Sequence, residues 1–492
     1  KHRGLGISTA LLRAAVEYAT KQGAPAVDVP PRRIPEGPRH PRGPATRMGA
    51  TRHYACVMRP FEADLVALAD ALARGELTSV DLVERALARY AETEPRIHAF
   101  AWLDQGRARR SALASDERRR SGVPVGRLEG IPIGVKDIFD TAGIPTENGS
   151  ALFAGRVPER TAVAVRAAES AGAIVLGKTI TAELAYLTPG PTLNPWDTTR
   201  TPGGSSMGSA AAVAAGVVPG AIGSQTNGSI IRPAAFCGVV GYKPTVGRIS
   251  LDGVFAFSHT LDHAGVFARS VRSAGLFAAI LAGDSERAPR ADQTRVPRLA
   301  ALRTSEWDHA TDVMRERFQA DVDTLAADGG PVEWPTPPAG LDDAPRILRT
   351  VMLYEGARAV LPKISRRPEV VSAFAREQLA LGQRMSDAAY QEAMRDRDRL
   401  IAAFADWAAP YDAILTPPVV GEAPSAETTG DPRFCSCWSL LGAPAVTIPT
   451  ALGPHRLPLG LQLVAAPGDD HRLLAAAMWA ELVLPSPGAP PL

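Results

Sequence analysis

Cysteine is scarce in this chain, net charge is nearly absent and no apolar run is long. Four cysteines (Cys56, Cys237, Cys435 and Cys437) stand among 492 residues. That is too few and too uneven for a disulfide framework, and it fits a reducing cytoplasm. No apolar stretch approaches the ~20 residues that a membrane-spanning helix needs. The most apolar segment, Ala210 to Ile222, is broken by Gly216 and Pro219, so no membrane partner is expected. A formal net charge of +2 supplies no general attraction to nucleic acid or to an anionic surface. Also missing is a His-Glu-x-x-His pattern, which sets aside a common class of metallohydrolase, and no Gly-x-Ser-x-Gly elbow of the hydrolase type stands out. The chain opens on Lys1 rather than on methionine, the pattern expected of a fragment or of a reading frame with a wrong start.

What is present is ordinary globular composition, 45% apolar and 22% charged, enough for a large core. Residues 1–29 begin "KHRGLG" ahead of an amphipathic helix pattern. Glycines there would let backbone N–H groups face a phosphate. The stretch resembles a fragment of an acetyl-CoA-dependent N-acetyltransferase, without the strands that should flank it. From residue 30 to 60 the chain carries seven prolines and seven arginines against one acid, Glu36. Such a segment buries too little to offset its ordering cost and reads as a linker.

A globular body is expected over 61–484. The segment from Phe61 to Glu94 has helical spacing, with Thr78-Ser79 as a helix start after Gly75. "GIPIGVKDIFDTAG" reads as strand, "TAVAVRAAESAG" as helix and "AIVLGKT" as a short buried strand. That alternation argues for α/β. Residues 285–410 read as a mostly helical insertion, and 485–492 as a disordered tail.

The chemistry concentrates in "TPGGSSMGSAAAVAAGVVPGAIGSQTNGSII", Thr201 to Ile231. A serine hydroxyl needs a base within reach and donors for the oxyanion. No histidine lies in this stretch. A lysine can serve if burial keeps it neutral. The candidate is Lys136, flanked by Ile131, Ile133, Val135, Ile138 and Phe139. Pattern alone favours an exposed lysine on an edge strand, because a buried unpaired charge is costly.

"GIPIGVKD", "TPGGSSMGSAAAVAAG" and "GSQTNGSIIRPAAFCGVVGYKPT", taken in order, resemble the amidase signature family. Lys136 and Ser205 are 69 residues apart, and Ser205 and Ser229 are 24 apart. The resemblance implies a single large α/β domain with a mixed twisted sheet covered by helices on both faces. It implies a Ser–cis-Ser–Lys triad: Lys136 as base, Ser205 as bridging serine and Ser229 as nucleophile. Backbone N–H groups of Thr226, Asn227, Gly228 and Ser229 would form the oxyanion hole. Ser206, Gln225 and Arg232 would support the site, with a helix-cap role equally open to Ser206. No cofactor and no metal are implied. The partner implied is a small amide, split into a carboxylic acid plus ammonia or an amine; a homodimer is compatible.

The chain departs from the family pattern at several positions. Gln225 stands where an aspartate is common. Asn227 replaces a glycine, which asparagine's tolerance of positive φ would accommodate. Arg232 falls three residues after Ser229 rather than two, and Met207 fills a position often small. Ser209 and Ser224 read as structural hydroxyls. His259 and His263 share an i, i+4 spacing, but Gly265 argues for a loop there and pocket lining is the better reading. Cys435 and Cys437 read as buried or loop thiols, and Tyr354 and Trp438 as core. The acyl pocket is expected from residues 300–420. Three rivals remain: a transamidase-type subunit of a tRNA-dependent amidotransferase, an inactive scaffold or binding protein, and an acetyl-CoA-binding fusion.

Overall fold

The computed structural model describes residues 64–284, 296–329, 331–365 and 367–492. The acetyltransferase-like stretch and the proline-arginine linker lie outside the described residues. The chain enters the body through α1 (Leu65–Ala73) and α2 (Ser79–Ile97). Thr78 starts α2 with a capping box: its hydroxyl accepts from Asp81 N at 3.0 Å, and the Asp81 carboxylate accepts from Thr78 N at 3.0 Å. Two otherwise orphaned donors are satisfied at once.

Next come β1 (Phe100–Leu103), α3 (Gln105–Arg120), β2 (Pro132–Lys136), α4 (Val163–Ser170) and β3 (Ile174–Thr179). They are followed by α5 (Met207–Ala214), β4 (Gly220–Gln225), α6 (Ile231–Cys237), β5 (Val240–Lys243), β6 (His263–Ala268) and α7 (Val271–Leu281). After β7 (Leu299–Ala301) the chain runs through α8 (Asp312–Gly329), α9 (Ala344–Ile364), α10 (Ala373–Gln383) and α11 (Asp387–Ala408). It returns as β8 (Ala413–Thr416), α12 (Arg433–Leu440), β9 (Ala445–Leu452), β10 (Pro458–Val464) and α13 (Asp470–Val483). Beyond Leu484 there is neither helix nor strand, and the Leu492 carbonyl accepts from Arg89 Nη2 at 3.3 Å.

The ten strands form one mixed sheet in the order β1-β3-β2-β4-β6-β5-β9-β10-β8-β7. β2 runs parallel to both β3 and β4, so it is an interior strand. The edge-strand expectation for Lys136 is therefore corrected. A parallel strand is covered on both faces, and all five β2 residues are buried.

One face is packed by α1, α4, α7 and α13, through residues such as Leu65, Val165, Phe277 and Leu473. The other is packed by α2, α3, α5 and α6, through Val83, Ala112, Ala211 and Ala234. A further cluster joins α9, α11 and α12 around Val351, Phe404 and Trp438. Helix α5 explains the small residues of the serine-rich stretch: all eight of its residues are buried. At Gly208 a Cβ would lie 2.1 Å from the Ala99 carbonyl oxygen, so only glycine lets α5 approach the sheet this closely.

Candidate active site

Lys136 is the last residue of β2 and is 0% exposed. Its Nζ donates to Ser205 Oγ at 2.7 Å and to Ser224 Oγ at 2.8 Å. Burial pushes its pKa well below the ordinary 10.5, and the Asp262 carboxylate opposes that shift. Removal of an ammonium from water disfavours the charged form, which is the direction a lysine base requires. Ser205 follows a cis peptide bond from Gly204.

Ser224 is more than the structural hydroxyl its sequence context implies: it touches the same amine as Ser205. Its signal in the sequence is faint, a hydroxyl near the end of an apolar strand, which needs a partner to be buried without cost. Ser206 occupies the N-cap position of α5 without making the cap bond. Its hydroxyl instead donates to the Ser224 carbonyl at 3.1 Å and accepts from Ser224 N at 3.3 Å. Ser209 is a structural hydroxyl, within 2.7 Å of Thr179 Oγ1 and donating to the Ile222 carbonyl at 2.9 Å.

Ser229, 7% exposed, sits in the turn between β4 and α6. Gln225 shapes that turn. Its Oε1 accepts from Ile230 N at 2.8 Å and Ile231 N at 3.0 Å, and its Nε2 donates to Ser439 Oγ at 2.9 Å. Ser439 Oγ in turn donates to the Asn227 carbonyl. Ser436, one turn earlier on α12, donates to Asn227 Oδ1 at 2.8 Å. Asn227 is not among the described residues with positive φ. The tolerance argued for it from φ is thus replaced by a side-chain bond to α12. Arg232 is buried and donates through Nη2 to the Gly204 carbonyl at 2.6 Å. Burial lowers its pKa to about 10. Met207 packs at 0% exposure, with Gly190 N 3.2 Å from its sulfur.

A cavity of about 170 Å3 opens beside the lysine. Its walls include Ser224, Thr226, Ile138, Leu251, Phe255 and Asp262, together with Val254, Phe257 and His259. None of the lining of this cavity comes from residues 300–420; the helical segment packs behind its wall, where Glu355 accepts from the Ser258 and Thr260 hydroxyls. Asp262 has no counterpart among the residues that the sequence singles out. Its carboxylate accepts from Thr226 Oγ1 at 2.6 Å, Phe257 N at 2.8 Å and Ser258 N at 3.0 Å. Burial raises its pKa to about 6, while those donors and Lys136 pull the other way. The available signal is an acid set between Leu261 and a buried strand.

The two histidines separate. His259 is at the cavity mouth with its side chain 76% exposed. His263 is buried at the start of β6, Nδ1 2.6 Å from the Leu261 carbonyl. Gly265 lies within that strand, not in a loop. Cys435, Cys437 and Trp438 are buried on α12. Tyr354 is buried on α9, its hydroxyl donating to Asp387 at 2.7 Å. Among the described residues, no helix is long and apolar enough to cross a membrane.

Comparison with known proteins gives concordant matches. A profile of the amidase family matches residues 81–474. A glutamyl-tRNA(Gln) amidotransferase subunit from Chloroflexus aggregans is 46% identical over 226 residues, 44% of this chain and 46% of that one. The corresponding subunit from Salinispora arenicola is 34% identical over 490 residues, 86% of this chain and 97% of that one. Among solved structures, an amidase crystal structure superimposes with a TM-score of 0.79 at 33% identity, covering 86% of this chain and 100% of the other.

Proposed function

The chain belongs to the amidase family, enzymes that hydrolyse amide carbon–nitrogen bonds, and from that premise we propose that it cleaves a small, uncharged amide through an acyl-enzyme on Ser229. The observation that carries this reading is the buried Lys136 amine held 2.7 Å from Ser205 Oγ beside a cavity. In the proposed mechanism Ser229 Oγ attacks the carbonyl carbon. Its proton passes to Ser205, whose own proton passes to Lys136. The oxyanion accepts from backbone N–H groups of the 226–229 loop, a contribution typically worth about 10²–10³ in rate per donor. Collapse breaks the carbon–nitrogen bond. The proton returns through Ser205 to the leaving nitrogen, and water then releases the acid.

The cavity walls support the substrate class. Ile138, Leu251, Val254, Phe255 and Phe257 are apolar, and no lysine or arginine lines the space. Cavities on the order of 150 Å3 hold a benzene ring, so an aryl or short branched acyl group fits the available 170 Å3. A second reading is favoured by the relatives, which are subunits of a tRNA amidotransferase: release of ammonia from glutamine for a partner chain. Glutamine brings an α-carboxylate, and no lysine or arginine lines the cavity to meet it; that weighs toward the neutral amide.

The test is intact-mass spectrometry after exposure to a fluorophosphonate, with Ser229→Ala in parallel, followed by ammonia release from benzamide-type amides and from glutamine. One adduct, lost in Ser229→Ala, with turnover of neutral amides is the expected result. Turnover of glutamine alone would carry the amidotransferase reading. A folded protein that takes no adduct and releases no ammonia would carry the scaffold reading.

A further inference from the structure

The cavity wall from Phe255 to Asp262 is held by two carboxylates from opposite sides. From within, Asp262 accepts from Phe257 N, Ser258 N and Thr226 Oγ1. From outside, Glu355 of α9 accepts from Ser258 Oγ, Thr260 Oγ1 and, at 3.1 Å, Thr260 N. Tyr390 of α11 donates its hydroxyl to the same Glu355 carboxylate at 2.7 Å, and His259 Nε2 lies 3.3 Å from it. Tyr390 also stacks on Tyr354, ring centroids 4.1 Å apart. Glu355 is 3% exposed, so nearly all of its hydration has been exchanged for these donors. A buried carboxylate with that many partners is costly to disturb.

Ser258 is thus gripped twice, its backbone by Asp262 and its side chain by Glu355. Thr226, tied to Asp262, begins the loop that carries Ser229. We propose that Glu355 is a positioning residue through which α9 and α11 set the place of the cavity wall and, by way of Ser258, Asp262 and Thr226, the place of the Ser229 loop. The inference rests on the functional reading above for the meaning of that loop. The relay itself is a chain of hydrogen bonds between two elements far apart in sequence. Residues 344–408 would influence hydrolysis without touching substrate. Their influence would fall on both sides of the reaction: the wall sets substrate fit, and Thr226 sets the oxyanion donors.

The experiment compares Glu355→Ala, Glu355→Gln and Tyr390→Phe with the wild-type chain by two readouts. The first is amide hydrogen exchange in segments 255–262 and 226–229, which needs no turnover. Glu355→Ala is expected to speed exchange at least tenfold in both segments. Glu355→Gln is expected to restore most of the protection, because its amide oxygen can take Thr260 N while the hydroxyls reorient. Tyr390→Phe is expected to fall between them. The second readout is kcat and KM on the best neutral amide: Glu355→Ala should raise KM and lower kcat, each severalfold, with Gln recovering both. Faster exchange confined to 255–262, or no change in either segment, overturns the relay. If the wild-type chain hydrolyses no amide while the exchange result is as expected, the relay stands and it is the functional reading that fails. Unfolding of Glu355→Ala would leave Tyr390→Phe, which deletes a single hydroxyl, to decide by the same exchange pattern.

Discussion

Lys136 concentrates the residue-scale argument. Burial lowers its pKa, Asp262 resists that shift, and Ser205 and Ser224 each hold one side of the amine. A base must be unprotonated to act, so activity is expected to fall as pH drops through the lysine's depressed pKa and to hold above it. Lys136→Ala should remove the acid limb together with about 10²–10⁴ of kcat/KM, the range usual for a positioned base. The check is a pH–rate profile of both proteins. An unchanged acid limb in a variant that still turns over would remove Lys136 from the role of base. The sequence points to this lysine by its apolar neighbours, yet the same neighbours fit an exposed edge position. What separates the two readings is the pairing of β2 with β3 and β4, and pairing partners distant in sequence leave no local trace.

At the scale of elements, the turn between β4 and α6 is built by Gln225 and by the α12 serines. Gln225 takes the two leading N–H groups of the α6 end, which have no partner within the helix. In Gln225→Leu both donors stay buried without an acceptor, at about 1–3 kcal/mol each. Such a variant should unfold at a clearly lower denaturant midpoint and label more slowly at Ser229. Gln225→Glu, which keeps the acceptor, should lie nearer the wild type. An unchanged midpoint in the leucine variant would show that the turn does not depend on this cap. The Gln225 amide oxygen thus supplies the acceptor that this turn uses. Its ties to α12 are not readable from the sequence, because Ser436 and Ser439 lie more than two hundred residues away. The α2 start is readable, because Thr78 and Asp81 complete their box within four residues.

Across the whole molecule, the sheet buries more charge than the proposed chemistry uses. Lys243, at the end of β5, is 0% exposed and donates to the Ala443 carbonyl. Burial lowers its pKa to about 7, against the attraction of Asp470. In an unfolded chain the same group titrates near ~10.4. Between those values the unfolded state holds a proton that the folded state lacks, so stability rises with pH by about 1.4 kcal/mol per unit. Below about 7 both states are protonated and the cost is fully present. Lys243→Met lacks this slope. Its advantage over the wild type should be largest at neutral pH and should close toward about pH 10, where the wild type keeps a neutral amine bonded to Ala443. Denaturant titrations at both ends of that window provide the check; parallel stabilities across it would mean that Lys243 is not neutralised by folding.

The alternation of short apolar strands with helices, the three ordered motifs around Lys136, Ser205 and Ser229, and the small residues of α5 could all be read from the chain itself. Each is a local pattern: periodicity, spacing and side-chain size act over a few residues. Only the tertiary structure decided that β2 lies inside the sheet, that Ser224 shares the lysine with Ser205, that Asp262 and Glu355 hold opposite sides of one wall, and that residues 300–420 back the cavity wall without lining it. Those outcomes depend on strand order and on hydrogen bonds between groups from 36 to more than 200 residues apart. Their partners are chosen when distant segments pack, and hydroxyls and carboxylates fit many partners equally well until packing selects one.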